Sequence, residues 1–258
     1  MRLIRKTNEA EMILEFLKGE LNSSRFNEDL NRTIKELGLS TNIIITGNIE
    51  NDTENIDRLK IMKKFRGYPN EKLFENFPKI NEWKYCELNE KDIDDIYYID
   101  YDYWNELSNG TSKPVEASKV INNGIEIYEV SNQPFLDGVE YNKTNKFPPV
   151  ILITCNNEKY LIIEGHSRMT IYGFNPSKLN ETYAYVGYTT DEEMRKYDQR
   201  MLTGEEVRTR KYWKSKDYIH DGIEKNKKIW YSEYRWRELH KIKKDTFDCA
   251  NQMWVHLK

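Results

Sequence analysis

The stretch "FPPVILITCNNEKYLIIEGHSRMTIYGF", residues 147–174, constrains the fold of this chain more than any other. Two continuous apolar runs, each short for a buried helix, are separated by the turn-forming Asn156-Asn157-Glu158. They predict two buried strands joined as a hairpin. Pro148-Pro149 prevents the first strand from extending backwards. The sequence then turns helical over "SRMTIYGF" and stops near Asn175-Pro176. That helix is expected to cross over to a further strand, "TYAYVGYT", followed by the polar helix "DEEMRKYDQRML". The pattern implies a mixed α+β domain.

Upstream, helical spacing dominates. Asn8 and Glu11 have the spacing of a capping box, with Met12, Ile13, Phe16 and Leu17 on one face. Leu30, Ile34 and Leu37 form a second stripe closed by Gly38. Ile56, Leu59 and Met62 mark a third helix, and "EKLFENFP" a short one ended by Pro78. The β-branched run Asn42-Ile43-Ile44-Ile45-Thr46, bounded by Gly47, reads as a strand. "PVEASKVINNG" reads as a helix closed at Asn123-Gly124, "IEIYEV" as an alternating strand, and "QPFLDGVEYNK" as a helix with Pro134 in its first turn. Between them, "DIDDIYYIDYDYWNELSNGTS" alternates acids with large aromatics. It is either an acidic cleft in which Asp100 and Asp102 hold a cation, or a core segment whose acids face water.

With 32% charged residues, 18 Tyr and 6 Trp, the chain is too aromatic for a disordered protein and too polar for a membrane protein. No run approaches the ~20 apolar residues of a membrane span. The N-terminus lacks a signal-peptide core, so a cytoplasmic location is expected. Cys86, Cys155 and Cys249 form no CxxC pair, and neither a disulfide framework nor a zinc site is expected; with four scattered histidines, a structural metal is not expected either. The net charge of −3 hides an asymmetry. From Arg195 onward there are 17 Lys and Arg against 10 Asp and Glu. This tail interleaves cations with Trp213, Trp230 and Trp236. It suits a single-stranded nucleic-acid contact, possible DNA included. It equally suits an amphipathic helical extension, with Ile229, Trp236, Leu239 and Ile242 on one face, or a tail packed on its own acidic body.

The chemistry concentrates in Glu164-Gly165-His166-Ser167-Arg168. A helix start presents unpaired N–H groups and the positive end of its dipole, which favour phosphate. Gly165 permits close approach of a ligand to the backbone, Ser167 adds a hydroxyl, and Arg168 offers a planar fork to phosphate oxygens. His166 either donates to a phosphate, moves a proton, or caps the helix. Glu164 suits a base for a hydroxyl or water, or an indirect magnesium ligand.

"LIIEGHSRMTIY" resembles the nucleotide-binding motif of the ParB/sulfiredoxin superfamily, a strand followed by G-x-x-R and a helix. The motif reads G-E-R-R in partition ParB proteins, G-C-H-R in sulfiredoxins and D-G-H-H-R in free-serine kinases, to which E-G-H-S-R is nearest. The resemblance covers residues 120–198. It implies phosphate contacts from Gly165 and Arg168 and a catalytic role for Glu164 on an acceptor hydroxyl. Ser167 stands where the kinases have a second histidine. His166 occupies the position of the sulfiredoxin cysteine, so sulfinic-acid repair is not implied. The glutamate that the kinases carry after their first strand has only Glu129 as a counterpart, placed too early.

These features lead to an α+β expectation. It comprises a helix-rich region over 1–113, a ParB/sulfiredoxin-like domain over 114–202, and a basic aromatic helical extension over 203–258. The expected function is Mg2+-dependent hydrolysis of a nucleoside triphosphate (ATP, ADP or CTP being the ligand class), or phosphoryl transfer to a small hydroxyl compound. Glu164 and His166 would be catalytic, with Gly165, Ser167 and Arg168 on the phosphates. The alternative is a DNA-associated module, nuclease-like or regulatory, with the nucleotide as a switch.

Overall fold

The computed structural model describes residues 1–23, 26–71, 74–204, 245–248 and 253–256. Its elements run β1 (Arg2–Thr7), α1 (Glu9–Leu21), α2 (Asn27–Glu36), α3 (Asn42–Ile45), α4 (Asp52–Arg66), β2 (Glu82–Leu88) and β3 (Ile96–Tyr97). Then follow α5 (Asp102–Leu107), α6 (Pro114–Asn122), α7 (Gln133–Tyr141), β4 (Val150–Thr154), β5 (Tyr160–Glu164) and α8 (His166–Phe174). The last are β6 (Thr182–Tyr188), α9 (Asp191–Asp198), β7 (Asp245–Asp248) and β8 (Met253–His256). The fold class is α+β. No described helix is long and apolar enough to cross a membrane.

The chain divides into two compact units. The first comprises Met1–Leu88, Pro148–Gly165 and Glu181–Gly204. Its strands lie in the order β1-β2-β6-β4-β5. The hairpin pairs Ile153 with Leu161 and Leu152 with Ile162, and β6 returns parallel to β4, with Leu152 opposite Val186. Strands β2 and β6 are antiparallel, as are β1 and β2. β4 is buried along its whole length, as expected of a continuous apolar run.

Strand β1 was not foreseen in the sequence. It lies at the sheet edge with nearly every residue exposed, so it carries no alternation to betray it. Helix α1 begins where expected: the Asn8 side chain accepts from the Glu11 amide at 2.9 Å, and Met12, Ile13, Phe16 and Leu17 are buried. The Glu11 carboxylate is taken by Arg5, Thr7 and Tyr185.

Two expectations for this unit are corrected. The run from Asn42 is helical, forming α3, because Arg58 donates to the Ile43 carbonyl at 2.9 Å and the Thr46 hydroxyl to the Asn42 carbonyl at 2.7 Å. A β-branched run without a neighbouring strand cannot satisfy its backbone as a strand. Helix α4 exists, but Ile56 and Leu59 are 55% and 39% exposed. Its inward face carries Arg58, Ile61 and Met62. A buried arginine breaks the apolar stripe by which that face would be recognised. The helix expected over 71–78 falls partly on residues outside those described. At its ends the Phe74 amide donates to Glu71 and the Phe77 amide to Phe74.

The second unit comprises Asn89–Phe147, His166–Asn180 and Glu205–Lys258. Helices α6, α7 and α8 form where the sequence places them, and α8 packs against both others. Two glycines permit this. A Cβ on Gly173 would stand 2.6 Å from the Pro114 carbonyl oxygen, and one on Gly138 2.3 Å from Ile171. The strand expected over "IEIYEV" is instead a turn: Tyr128 and Glu129 have φ of 55° and 63°, and the Val130 amide donates to Ile127. Successive left-handed residues reverse the chain and defeat the alternation. Where the helical extension was expected, residues 245–248 and 253–256 pair as an antiparallel ladder. The remainder of that extension lies outside the described residues.

Candidate functional site

The chain leaves β5 at Glu164, passes through Gly165 at φ 101° and enters α8 at His166. That φ is strained for any residue with a Cβ, so the glycine is a requirement of the turn. Glu164 and Gly165 belong to the first compact unit, and His166, Ser167 and Arg168 to the second. The first turn of α8 contains no acidic side chain, whereas α1, α4 and α9 carry two or three each. Acids at a helix start neutralise the dipole; α3 and α7, like α8, carry none there.

Ser167 and Arg168 are half-buried. One turn further on, burial pushes the Tyr172 phenol up, opposed by the Phe147 backbone and more weakly by the Arg168 charge. His166 is only 7% exposed. Its ring is parallel to Trp104, with centroids 5.4 Å apart, and to Tyr98 at 6.0 Å. Trp104 and Tyr98 in turn stack at 4.7 Å. The Thr170 hydroxyl donates to the His166 carbonyl at 2.8 Å and stands 2.7 Å from the Tyr98 hydroxyl.

Sequence reasoning did not foresee Trp104, Tyr98 and Thr170 as neighbours of His166. The available signal was the aromatic density of residues 97–104, which marked that segment as core without naming its partner.

The core reading of that segment is the one observed, since Tyr98, Tyr103 and Trp104 are almost wholly buried. Asp102 is buried too, contrary to the expectation that the acids face water; it opens α5, where a carboxylate meets the helix dipole. Asp100 accepts from the Asn105 amide at 2.6 Å. Among the described residues, no group of three or more His, Cys, Asp or Glu is arranged to hold a metal ion.

No protein-family model matches the chain, and comparison with curated proteins and with solved structures likewise gives no match.

Proposed function

We propose that the chain binds the phosphates of a nucleoside tri- or diphosphate at the first turn of α8, and hydrolyses the nucleotide or passes a phosphoryl group to a small hydroxyl acceptor. The observation carrying this reading is a helix start without acids, entered through a positive-φ glycine, with Ser167 and Arg168 half-buried in its first turn. Amides of the first turn and the Ser167 hydroxyl donate to phosphate oxygens, and Arg168 supplies a planar charge-assisted fork. The ParB/sulfiredoxin resemblance alone, and no measured geometry, casts Glu164 as the group acting on the nucleophile. Magnesium arrives with the nucleotide, since this cation is commonly held by phosphates and water with few protein ligands. The His166 ring, expected to donate to the transferring group, is buried and stacked on Trp104 and Tyr98, and in this reading it also fixes the first turn of α8. The resemblance to the ParB/sulfiredoxin motif supports the same reading.

A thermal-shift panel of ATP, ADP, CTP and GTP with magnesium tests it. At a ligand concentration of 100 Kd, binding stabilises the folded state by about 2.7 kcal/mol. At least one nucleotide therefore raises Tm by several degrees in the wild type and fails to do so in Arg168→Ala. Equal shifts in both proteins, or none with any nucleotide, overturn the proposal.

A further inference from the structure

We infer that Trp104 and Tyr98 are positioning residues for the phosphate seat on α8, fixing its first residue through a parallel stack with His166 and a hydroxyl relay through Thr170. The inference rests on the proposed phosphate reading and adds to it the residues that set the seat's geometry. His166 is gripped twice. Its ring lies 19° from the plane of Trp104 and 14° from that of Tyr98. Its carbonyl accepts from Thr170 Oγ1 at 2.8 Å. A threonine hydroxyl has one proton. With that proton on the His166 carbonyl, the 2.7 Å contact between Thr170 and Tyr98 is donated by the Tyr98 hydroxyl. Tyr98 thus acts on His166 through both its ring and its hydroxyl.

Trp104 and Tyr98 have 1% and 0% exposure, so neither ring can follow a displaced His166 into solvent. The backbone at residues 166–168 is therefore held before any ligand arrives. Preformed donors avoid the cost of ordering on binding, and a seat misplaced by about 1 Å loses much of its affinity.

The test uses inorganic tripolyphosphate as a base-independent probe, titrated calorimetrically into the full chain at a temperature where every variant is folded. Trp104→Leu removes the flat ring and raises Kd about three- to tenfold, the range expected for losing an aromatic pair. Trp104→Phe recovers most of that loss. Tyr98→Phe keeps the ring and breaks only the relay, giving a smaller rise, and it carries the test should Trp104→Leu not fold. Met62→Ala, in the first compact unit, lowers Tm without moving Kd, which separates positioning from general destabilisation. Hydrogen exchange at the amides of Met169 and Thr170, the first in α8 with an intrahelical acceptor, speeds up in Trp104→Leu and Tyr98→Phe but not in Met62→Ala.

Wild-type affinity in both Trp104→Leu and Tyr98→Phe, with binding abolished by Arg168→Ala, sinks this inference and leaves the phosphate reading intact. A wild-type chain that binds no tripolyphosphate overturns both.

Discussion

The imidazole of His166 lies parallel to the indole of Trp104, 5.4 Å between ring centroids and 19° between planes. The histidine that most suggested proton chemistry in the sequence is thus part of an aromatic core. Its ring contributes packing that an aliphatic truncation cannot replace. His166→Ala is expected to lower unfolding free energy by about 1–3 kcal/mol, from the lost stack and the void left behind. His166→Phe keeps a flat ring in the stack and costs less. Urea unfolding of both variants checks this, and equal losses would show that the stack is not what the ring supplies.

Gly173 and Gly19 predict opposite signs for the same substitution. A Cβ at Gly173 would press on the Pro114 carbonyl oxygen at 2.6 Å and on Ser118 Oγ at 3.1 Å, so α8 and α6 must separate to admit it. Gly173→Ala is expected to cost about 1–3 kcal/mol. Gly19 lies within α1 with nothing inside 4 Å of the added carbon. Gly19→Ala should stabilise by about 0.5–1 kcal/mol through helix propensity. Thermal denaturation distinguishes the two, and a destabilising Gly19→Ala would contradict the packing described for α1.

Arg58 is wholly buried. It donates to the Ile43 and Asn48 carbonyls at 2.9 Å each, to Glu54 at 2.7 Å, and to the Asn55 side chain. Arg58→Met fills similar space but leaves those carbonyls without their donor. A loss of about 3 kcal/mol or more is expected, because an unmade buried hydrogen bond costs the full desolvation of each group. Retention of wild-type stability in urea would mean that the α3 turn holds without the clamp.

Legibility in the sequence followed local determination. The hairpin of β4 and β5, the return of β6 and the starts of α6 and α7 depend on apolar runs, prolines and turn residues lying next to one another. Each was readable. The failures depend on distant residues. Ile43 to Ile45 read as a strand because the chain from 42 to 46 says nothing of Arg58. Tyr128 and Glu129 take left-handed conformations that their side chains do not announce. Ile56 and Leu59 point outward because the inward face of α4 holds Arg58, whose charge is satisfied by partners that the helix sequence alone does not reveal. At the candidate site, the strand-to-helix turn and its glycine were visible at once. Trp104 lies 62 positions from His166 in sequence, and no periodicity connects them.

Glu11 should contribute to the acid sensitivity of the fold. Burial alone would push its carboxyl up, but hydrogen bonds from Arg5, Thr7 and Tyr185 together outweigh it and hold the folded group below the usual carboxylate range. A depressed folded pKa stabilises the native state above the unfolded value of about 4.3, and that contribution is lost as pH falls through the folded value. Wild type should therefore exceed Glu11→Gln in stability at pH 7, with the gap closing as pH falls below about 4. Urea titrations from pH 7 to pH 3 measure it. A gap independent of pH would assign the effect to packing instead of charge.

Cys155 should be a poor nucleophile. Burial, and then the neighbouring Asp191 carboxylate, push its thiol up to about 12, against a weaker opposing pull from Lys159. Its Sγ lies 3.6 Å from the Met201 carbonyl, which accepts from the thiol and not from a thiolate. The thiolate is the reactive form. At pH 8 roughly a quarter of such thiols are thiolate in an unfolded chain, and far fewer here. In a Cys249→Ser background, alkylation of Cys155 by iodoacetamide, followed by peptide mapping, should be about a thousandfold slower in the native protein than in urea. Native labelling at the rate of a free thiol would place Cys155 in a more polar setting than this fold gives it.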